Sequence, residues 1–249
     1  MSEMQWMHRE NLYLDLFVCG AKPEYEYIRD TYGFAPQVTR YLGLARWDNL
    51  LQAGQAPCKK MILLMPTWRG SHYPEGEAFL DTPYYKAFDS LLNSARLDAL
   101  LEQHGYTLVF YPHIEMQKHL SRFHARSKRV VLADSSMYDV QQLLLDCALL
   151  ITDHSSVFFD VAYLEKPELY YQFDEADYQR YHYQKGYFDF ARDGFGPVCT
   201  TEEALLQALE TALQSGMQMP PEYKARTAAF FPLRDTQNCA RTYEAICGL

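Results

Sequence analysis

The 249-residue sequence lacks the charge and hydropathy patterns of several large protein classes. Its 23 Lys and Arg residues are outnumbered by 32 Asp and Glu, which gives a formal net charge of -9. A chain this acidic has no whole-molecule field that attracts a nucleic acid or an anionic lipid surface. Its apolar runs, such as 61–65 and 147–151, are far shorter than the roughly 20 residues of a membrane span. The opening MSEMQWMHRE has no signal-peptide pattern, so we expect a cytoplasmic protein with no nucleic-acid partner.

Metal-binding and disulfide patterns are missing as well. The six cysteines include no C-x-x-C pair, and no H-x-x-x-H or H-E-x-x-H spacing occurs. There is also no G-x-G-x-x-G, no Walker loop and no G-x-S-x-G, which disfavours dinucleotide oxidoreductases, P-loop enzymes and α/β-hydrolases. We therefore expect reduced thiols, no metal and no resident cofactor.

Short apolar runs alternate with segments of helical period. Strands are predicted at 12–19, 38–42, 60–66, 106–111, 129–132, 148–152 and 168–171, and helices at 84–103, 137–146 and 156–165. After Thr200 the pattern is helical only. This order predicts an α/β fold, with a parallel sheet covered on both faces and a helical C-terminal tail. The polar stretch 43–60 indicates a joint between a short leading piece and the main domain.

Three loops with unusual chemistry follow predicted strands: PTWRG from Pro66, YPHIEMQKH from Tyr111, and TDHSSVFFD from Thr152. Ligands of open parallel sheets bind beyond the carboxyl ends of the strands. The convergence of three such loops is therefore the main functional signal.

Each loop offers a candidate residue and an ordinary alternative. Ser155 or Ser156 is a natural N-cap. The helix terminus there would favour an anion, or the serine would simply cap the helix with no ligand bound. Asp160 needs a polar partner if buried, which could be a ribose, a basic side chain or a backbone amide. Arg69 suits bidentate phosphate contact, with a surface salt bridge as the alternative. His113 could donate to a phosphate or leaving-group oxygen, or be an ordinary loop histidine.

A tyrosine-rich stretch, 170–190, holds six of the 20 tyrosines. Tyrosine clusters line sugar sites, but they also form the wet edge of a core. The edge of the core is the favoured interpretation, with a cover over the ligand as the second.

Several stretches together resemble one known family, the CDP-glycerol:poly(glycerophosphate) glycerophosphotransferases of teichoic-acid and capsule synthesis. The matching stretches, in order, are LFVCG from Leu16, YLGLARWD from Tyr41, PTWR from Pro66, His113, LLITDHSSVFFD from Leu149, Lys166-Pro167, Gly186 and Gly196-Pro197.

The resemblance implies a Rossmann-like domain of the GT-B type, the half that binds CDP-glycerol or a related CDP-polyol. Residues 1–55 would be a remnant of the upstream half and a linker, and 56–249 the donor-binding domain. The reaction implied is transfer of glycerol phosphate to a hydroxyl of a polyol-phosphate or glycan acceptor. Through that acceptor, contact with the inner face of the cell membrane is implied. Arg69 and His113 would be catalytic and face the pyrophosphate, and the donor site would comprise Thr67, Arg69, His113, Asp153, Ser155, Ser156 and Asp160.

Two features depart from the family pattern. The family has an upstream His-Gly motif that resembles an acceptor-side catalytic base, and its place falls before this sequence begins. His8 is not followed by glycine, so it does not match that motif. We therefore expect either a truncated chain or a separate donor-binding half. His154 stands where the family often has tyrosine. A GT-B glycosyltransferase half using a nucleotide sugar, or a non-catalytic nucleotide-binding module, remains an alternative.

Overall fold

The computed structural model of the chain describes residues 2–70, 73–176, 178 and 184–249, and it is built around a parallel sheet. The strands of these residues are β1 (Ser2–Glu3), β2 (Phe17–Cys19), β3 (Thr39–Tyr41), β4 (Met61–Leu64), β5 (Thr107–Phe110), β6 (Val130–Leu132), β7 (Leu149–Thr152), β8 (Glu168–Tyr171), β9 (Gln184–Lys185) and β10 (Val198–Cys199). The main sheet has the order β10-β8-β7-β4-β5-β6, and each neighbouring pair is parallel. The predicted strands from 38–42 onward are confirmed, whereas the strand expected at 12–19 forms only at Phe17–Cys19.

Helices cover both faces of this sheet. They are α1 (Lys22–Thr31), α2 (Arg46–Ala53), α3 (Pro83–Leu92), α4 (Ala95–His104), α5 (Val140–Asp146), α6 (Phe158–Tyr163), α7 (Phe190–Asp193), α8 (Glu202–Gln214), α9 (Pro221–Phe230) and α10 (Asn238–Cys247), with 3-10 helices at Gln5–Met7, Gly76–Asp81 and Ile114–Arg122. In β4, Ile62 and Leu64 pack with α3, α4 and α8, while Met61 and Leu63 pack with α2, α5 and α6 on the other face. This alternation confirms the predicted α/β fold and its helical C-terminal tail.

The single helix predicted at 84–103 is two helices in the structure. α3 ends at Leu92, and Ser94 starts α4 by accepting a 3.5 Å hydrogen bond from the backbone N–H of Leu97. The apolar period continues through the break because both helices pack against the same face of the sheet. The periodicity prediction therefore missed the boundary.

The leading part of the chain forms a small unit of its own. β2 and β3 are parallel and are connected by α1, with Cys19, Ile28, Tyr32 and Phe34 forming a small separate core. The polar stretch 43–60, predicted as a joint, contains α2, whose Trp47 and Leu50 are buried in the core of the main domain. The domain division at residues 55 and 56 stays a prediction.

Within the described residues, no helix is both long enough and apolar enough to cross a membrane. The six cysteines are free thiols in the structure, and Cys19, Cys147 and Cys199 are buried.

Candidate functional site

The three predicted loops meet at the carboxyl edge of β4, β5 and β7, which are neighbours in the sheet. The Thr67 amide donates to Asp153 Oδ1 over 2.8 Å, which joins the loops after β4 and β7. The His113 amide donates to the Pro66 carbonyl over 3.3 Å, which joins the loops after β5 and β4. The structure thus brings these strand ends into one hydrogen-bonded cluster.

Arg69 lies inside this cluster and is only 3% exposed, so the surface salt bridge considered as its alternative is wrong. Its Nε donates to Asp174 Oδ2 over 2.8 Å, and its Nη1 donates to the Thr67 carbonyl over 2.9 Å. Its Nη2 donates to Asp174 Oδ1 over 3.1 Å and lies 2.6 Å from Asp153 Oδ2. All three guanidinium nitrogens therefore have protein partners. Direct contact of Arg69 with a pyrophosphate stays a prediction, and it would require exchange of one of these partners.

The two carboxylates beside Arg69 have shifted pKa values. Burial alone would raise the pKa of Asp153, but Arg69 and hydrogen bonds from the Thr67 and His154 segments lower it to about 2. Burial raises the pKa of Asp174, and the charge of Arg69 only partly opposes that rise. Asp153 is thus a firmly ionised partner of Arg69.

His113 is half-buried at the start of the 3-10 helix Ile114–Arg122. Its Nδ1 accepts a 3.3 Å hydrogen bond from the Glu115 amide, and its ring stacks on Trp68 with centroids 6.2 Å apart. Burial lowers its pKa below the usual 6.5, so the ring is neutral at pH 7. Because Nδ1 accepts this hydrogen bond, the neutral ring carries its hydrogen on Nε2, which can donate a hydrogen bond to a ligand.

Ser155 and Ser156 do not cap a helix, which corrects the sequence prediction. α6 begins at Phe158 with Val157 as its N-cap, and no side-chain hydrogen bond caps it. The chain instead makes a turn in which the Phe158 amide donates to the Ser155 carbonyl over 3.3 Å. Both serines line a cavity of about 360 Å³ bounded by α2, α5 and the start of α6.

Asp160 is buried, and its partner is a basic side chain. Oδ1 accepts from Arg46 Nε over 2.7 Å and from Trp47 Nε1 over 2.8 Å, and Oδ2 accepts from Arg46 Nη2 over 3.1 Å. The sequence pattern includes Arg46 and Trp47 in the ARWD stretch but indicates no role for them. It also missed Asp174, which pairs with a residue 105 positions earlier and has no local signal.

His154 turns toward a different part of the site. Its ring stacks on Tyr178 with centroids 3.8 Å apart, and Gln172 Nε2 lies 3.4 Å from its Nδ1. In the tyrosine-rich stretch, Tyr170 and Tyr171 are core residues of β8. Residues 177 and 179–183, which belong to the predicted ligand cover 170–190, lie outside the described residues. Among the residues that are described, no group of three or more His, Cys, Asp or Glu could hold a metal ion.

A sequence model of the CDP-Glycerol:Poly(glycerophosphate) glycerophosphotransferase family matches residues 13–248, and the chain belongs to this family. The resemblance carried by the motifs is thereby confirmed.

Curated relatives of the chain are larger proteins. The minor teichoic acid biosynthesis protein GgaB of Bacillus subtilis is 31% identical over 98% of this chain and 27% of its own length. A teichoic acid poly(glycerol phosphate) polymerase of Bacillus spizizenii is 32% identical over 61% of this chain and 36% of its own length. The chain thus spans between about a quarter and somewhat over a third of these relatives.

Solved structures share the fold. The wall teichoic acid polymerase TagF superposes with a TM-score of 0.64 at 21% identity, over 94% of this chain and 57% of TagF. A UDP-GlcNAc 2-epimerase of Methanocaldococcus jannaschii, in complex with UDP-GlcNAc and UDP, gives 0.56 at 12% identity, over 94% of this chain and 61% of the epimerase. These likenesses confirm the predicted GT-B type of Rossmann-like fold.

Proposed function

We propose that this chain binds CDP-glycerol, or a related CDP-polyol, as the donor half of a glycerophosphotransferase of teichoic-acid-like or capsular polymer synthesis. The observation that carries the proposal is the family match over residues 13–248. In this proposal residues 56–249 are the donor-binding domain and residues 1–55 belong with the upstream half. A TagF variant combined with CDPG has the same fold, with a TM-score of 0.61 at 22% identity over 94% of this chain and 56% of that one.

The proposed nucleotide site is the cavity lined by Ser155 and Ser156. Its volume of about 360 Å³ lies in the range of small-molecule sites. The two serines offer hydroxyl groups to the donor phosphates, and Asp160 bounds the same cavity from α6. Ligand binding there accords with the rule that open α/β sheets bind ligands beyond the carboxyl ends of their strands.

In the proposed reaction, an acceptor hydroxyl oxygen forms a bond to the glycerol-bearing phosphorus, and its proton passes to a base of the upstream, acceptor-binding half. The bond between that phosphorus and the bridging oxygen breaks, and CMP leaves. Neutral His113 would donate a hydrogen bond from Nε2–H to a phosphate oxygen of the leaving group and keep its proton. Arg69, with Thr67 and Asp153, would hold the loops of the site at the spacing that this transfer of glycerol phosphate needs.

The proposed acceptor is a polyol-phosphate or glycan chain. Such an acceptor, if attached to lipid, would bring the protein to the inner face of the cell membrane. Flotation with vesicles with and without a lipid-linked glycerol-phosphate oligomer tests this, and binding only in the presence of the oligomer is expected.

Calorimetry with a panel of nucleotides tests the donor assignment. CDP-glycerol or CDP-ribitol should bind, and UDP-sugars should bind at least tenfold more weakly. Tighter binding of a UDP-sugar would support the nucleotide-sugar glycosyltransferase alternative. If no cytidine nucleotide binds, the proposed function is wrong.

A serine variant with a matched control tests the cavity. The double variant Ser155→Ala/Ser156→Ala should weaken CDP-glycerol binding by about 1–3 kcal/mol, because each neutral hydrogen bond contributes about 0.5–1.5 kcal/mol. Ser215→Ala, at the exposed end of α8, should bind like the parent. Equal affinity of all three proteins would place the phosphates elsewhere.

A further inference from the structure

Arg46 is a cation held in a fixed position at the edge of the cavity lined by Ser155 and Ser156, the proposed nucleotide site. Asp160 fixes it from one side through the hydrogen bonds to Nε and Nη2. The indole of Trp47 packs beside it, with the guanidinium carbon 5.6 Å from the ring centroid. Asp160 is 11% exposed in its side chain, whereas that of Arg46 is 56% exposed. The guanidinium is therefore anchored on its inner side and open on its outer side.

Two cavities meet at Arg46. One is the cavity of about 360 Å³ with Ser155, Ser156 and Gln141, and the other, of about 220 Å³, lies between α1 and α9. Arg46 and Ser156 line both of them. Within the described part of the chain, Arg46 is the cationic side chain that lines these two cavities, and its Nη1 makes no protein hydrogen bond there.

The other cations of the site are already committed to the protein or neutral. Arg69 is 3% exposed and bound by Asp153, Asp174 and the Thr67 carbonyl. His113 is neutral at pH 7 because burial lowers its pKa. A diphosphate in the serine-lined cavity needs charge compensation from a group that can reach it, and only Arg46 combines reach with a fixed charge among the residues described.

We infer that Arg46 is a diphosphate-contacting residue of the donor site and that Asp160 and Trp47 are the positioning residues that orient it. The outer edge of the guanidinium, Nη1 with its neighbour Nη2, donates to phosphate oxygens while Nε stays on Asp160. This inference rests on the proposed donor-binding function and adds the residue that supplies its positive charge. It makes the ARWD stretch part of the donor site.

Calorimetry with cytidine, CMP, CDP and CDP-glycerol tests the inference. Arg46→Gln should weaken CDP and CDP-glycerol binding by about tenfold to a hundredfold, the loss of one charge-assisted hydrogen bond. Its affinity for cytidine should stay within about twofold of the parent. Arg46→Lys keeps the charge but lacks the forked pair of guanidinium donors, so its CDP affinity should lie between those of the parent and Arg46→Gln. Arg129→Gln is the control. Arg129 pairs with Glu102 and precedes β6, at the amino ends of the strands and away from the site at their carboxyl ends, so this variant should bind like the parent.

Asp160→Asn and the melting temperatures separate ligand contact from structural support. Both Arg46→Gln and Asp160→Asn break the same ion pair, but only the first removes the cation. A greater loss of CDP affinity in Arg46→Gln at a similar melting temperature supports the inference. Equal losses for cytidine and CDP, or parental CDP affinity in Arg46→Gln and Arg46→Lys, overturn it while the proposed function stands. If the parent chain binds no cytidine nucleotide, the proposed function itself has failed.

Discussion

At the scale of single residues, burial decides which cations of this chain serve the fold and which remain available to a ligand. Arg69 and Lys166 are 3% and 6% exposed, and all of their described hydrogen bonds end on protein oxygens. Arg46 has its charge anchored but its outer edge open. Buried cations without partners are strongly destabilising, so the partners of Arg69 and Lys166 are a condition of folding.

Lys166 gives the residue-scale prediction. Its Nζ donates to the carbonyls of Leu144 and Leu145, both over 2.7 Å, where α5 ends. Lys166→Met keeps the aliphatic length but leaves these carbonyls without that donor, so we expect a loss of about 1–3 kcal/mol in unfolding free energy. Urea denaturation followed by circular dichroism measures it.

Lys59 is the matched control for Lys166. Its Nζ lies 2.8 Å from Asp146 at the end of the same helix, but its side chain is 69% exposed. Lys59→Met should therefore cost less than about 1 kcal/mol. Equal costs for the two lysine variants would show that the buried cap does not stabilise α5.

At the scale of elements, the sequence predicts those strands and helices whose position is determined by the local pattern of apolar residues. β7 and β8 are short runs buried at every position, which is typical of central parallel strands, and both were predicted within one residue. α2 was missed because half of its eight residues are polar and only Trp47 and Leu50 are buried. The helix break at Ser94 was missed because the apolar period does not change there.

In the candidate site too, local motifs predicted some features and long-range pairings could not be predicted. Local motifs indicated Ser155, Ser156 and His113 correctly as residues at strand ends. The partners of Arg69 and Asp160 could not be predicted, because Asp174 and Arg46 lie 105 and 114 positions away along the chain. Such pairings exist only after the sheet order has brought separate loops together.

Glu168, the first residue of β8, gives the element-scale prediction. It is buried, and its Oε2 accepts a 2.6 Å hydrogen bond from Tyr170. Burial raises its pKa well above the usual 4.5, so the folded state holds this proton more tightly than the unfolded state. Its stabilising contribution is therefore complete below pH 4.5 and is lost as the pH rises toward the folded pKa.

Urea midpoints at pH 5 and pH 8 measure this linkage. The stability of the parent should fall over that range, and Glu168→Gln should fall less because the amide cannot ionise. Glu102→Gln is the control, since Glu102 is exposed and its pKa is lowered by Arg129. That variant should keep the parental pH slope, and a parental slope in Glu168→Gln would contradict the assignment.

At the scale of the whole molecule, the C-terminal helix holds the segment that carries Arg46. Asp48 accepts hydrogen bonds from the backbone amides of Asn238 and Cys239 over 2.9 and 2.8 Å, at the start of α10. Arg241 Nε donates to the Leu42 carbonyl over 2.8 Å. The position of residues 42–48, and hence of Arg46, thus depends on residues nearly 200 positions later in the chain.

Two glycines of similar backbone conformation test this dependence. Gly33 and Gly43 have φ of +74° and +77°, in the left-handed region that favours glycine. A Cβ at Gly33 would meet nothing within 4 Å, so Gly33→Ala should cost only the conformational strain, about 1–2 kcal/mol. A Cβ at Gly43 would lie 1.8 Å from Oδ1 of Asn238, a buried side chain whose Nδ2 donates to Asp48.

Gly43→Ala must therefore displace Asn238 and break its hydrogen bond to Asp48, which adds about 1–3 kcal/mol to the strain. Urea denaturation should show this larger loss. Limited proteolysis should cut between α9 and α10 sooner in Gly43→Ala than in Gly33→Ala, because α10 loses its anchor on residues 42–48. CDP affinity should fall in Gly43→Ala and not in Gly33→Ala, since only the first disturbs the segment that positions Arg46. Equal unfolding free energies in the two variants would mean that α10 does not hold this segment in place.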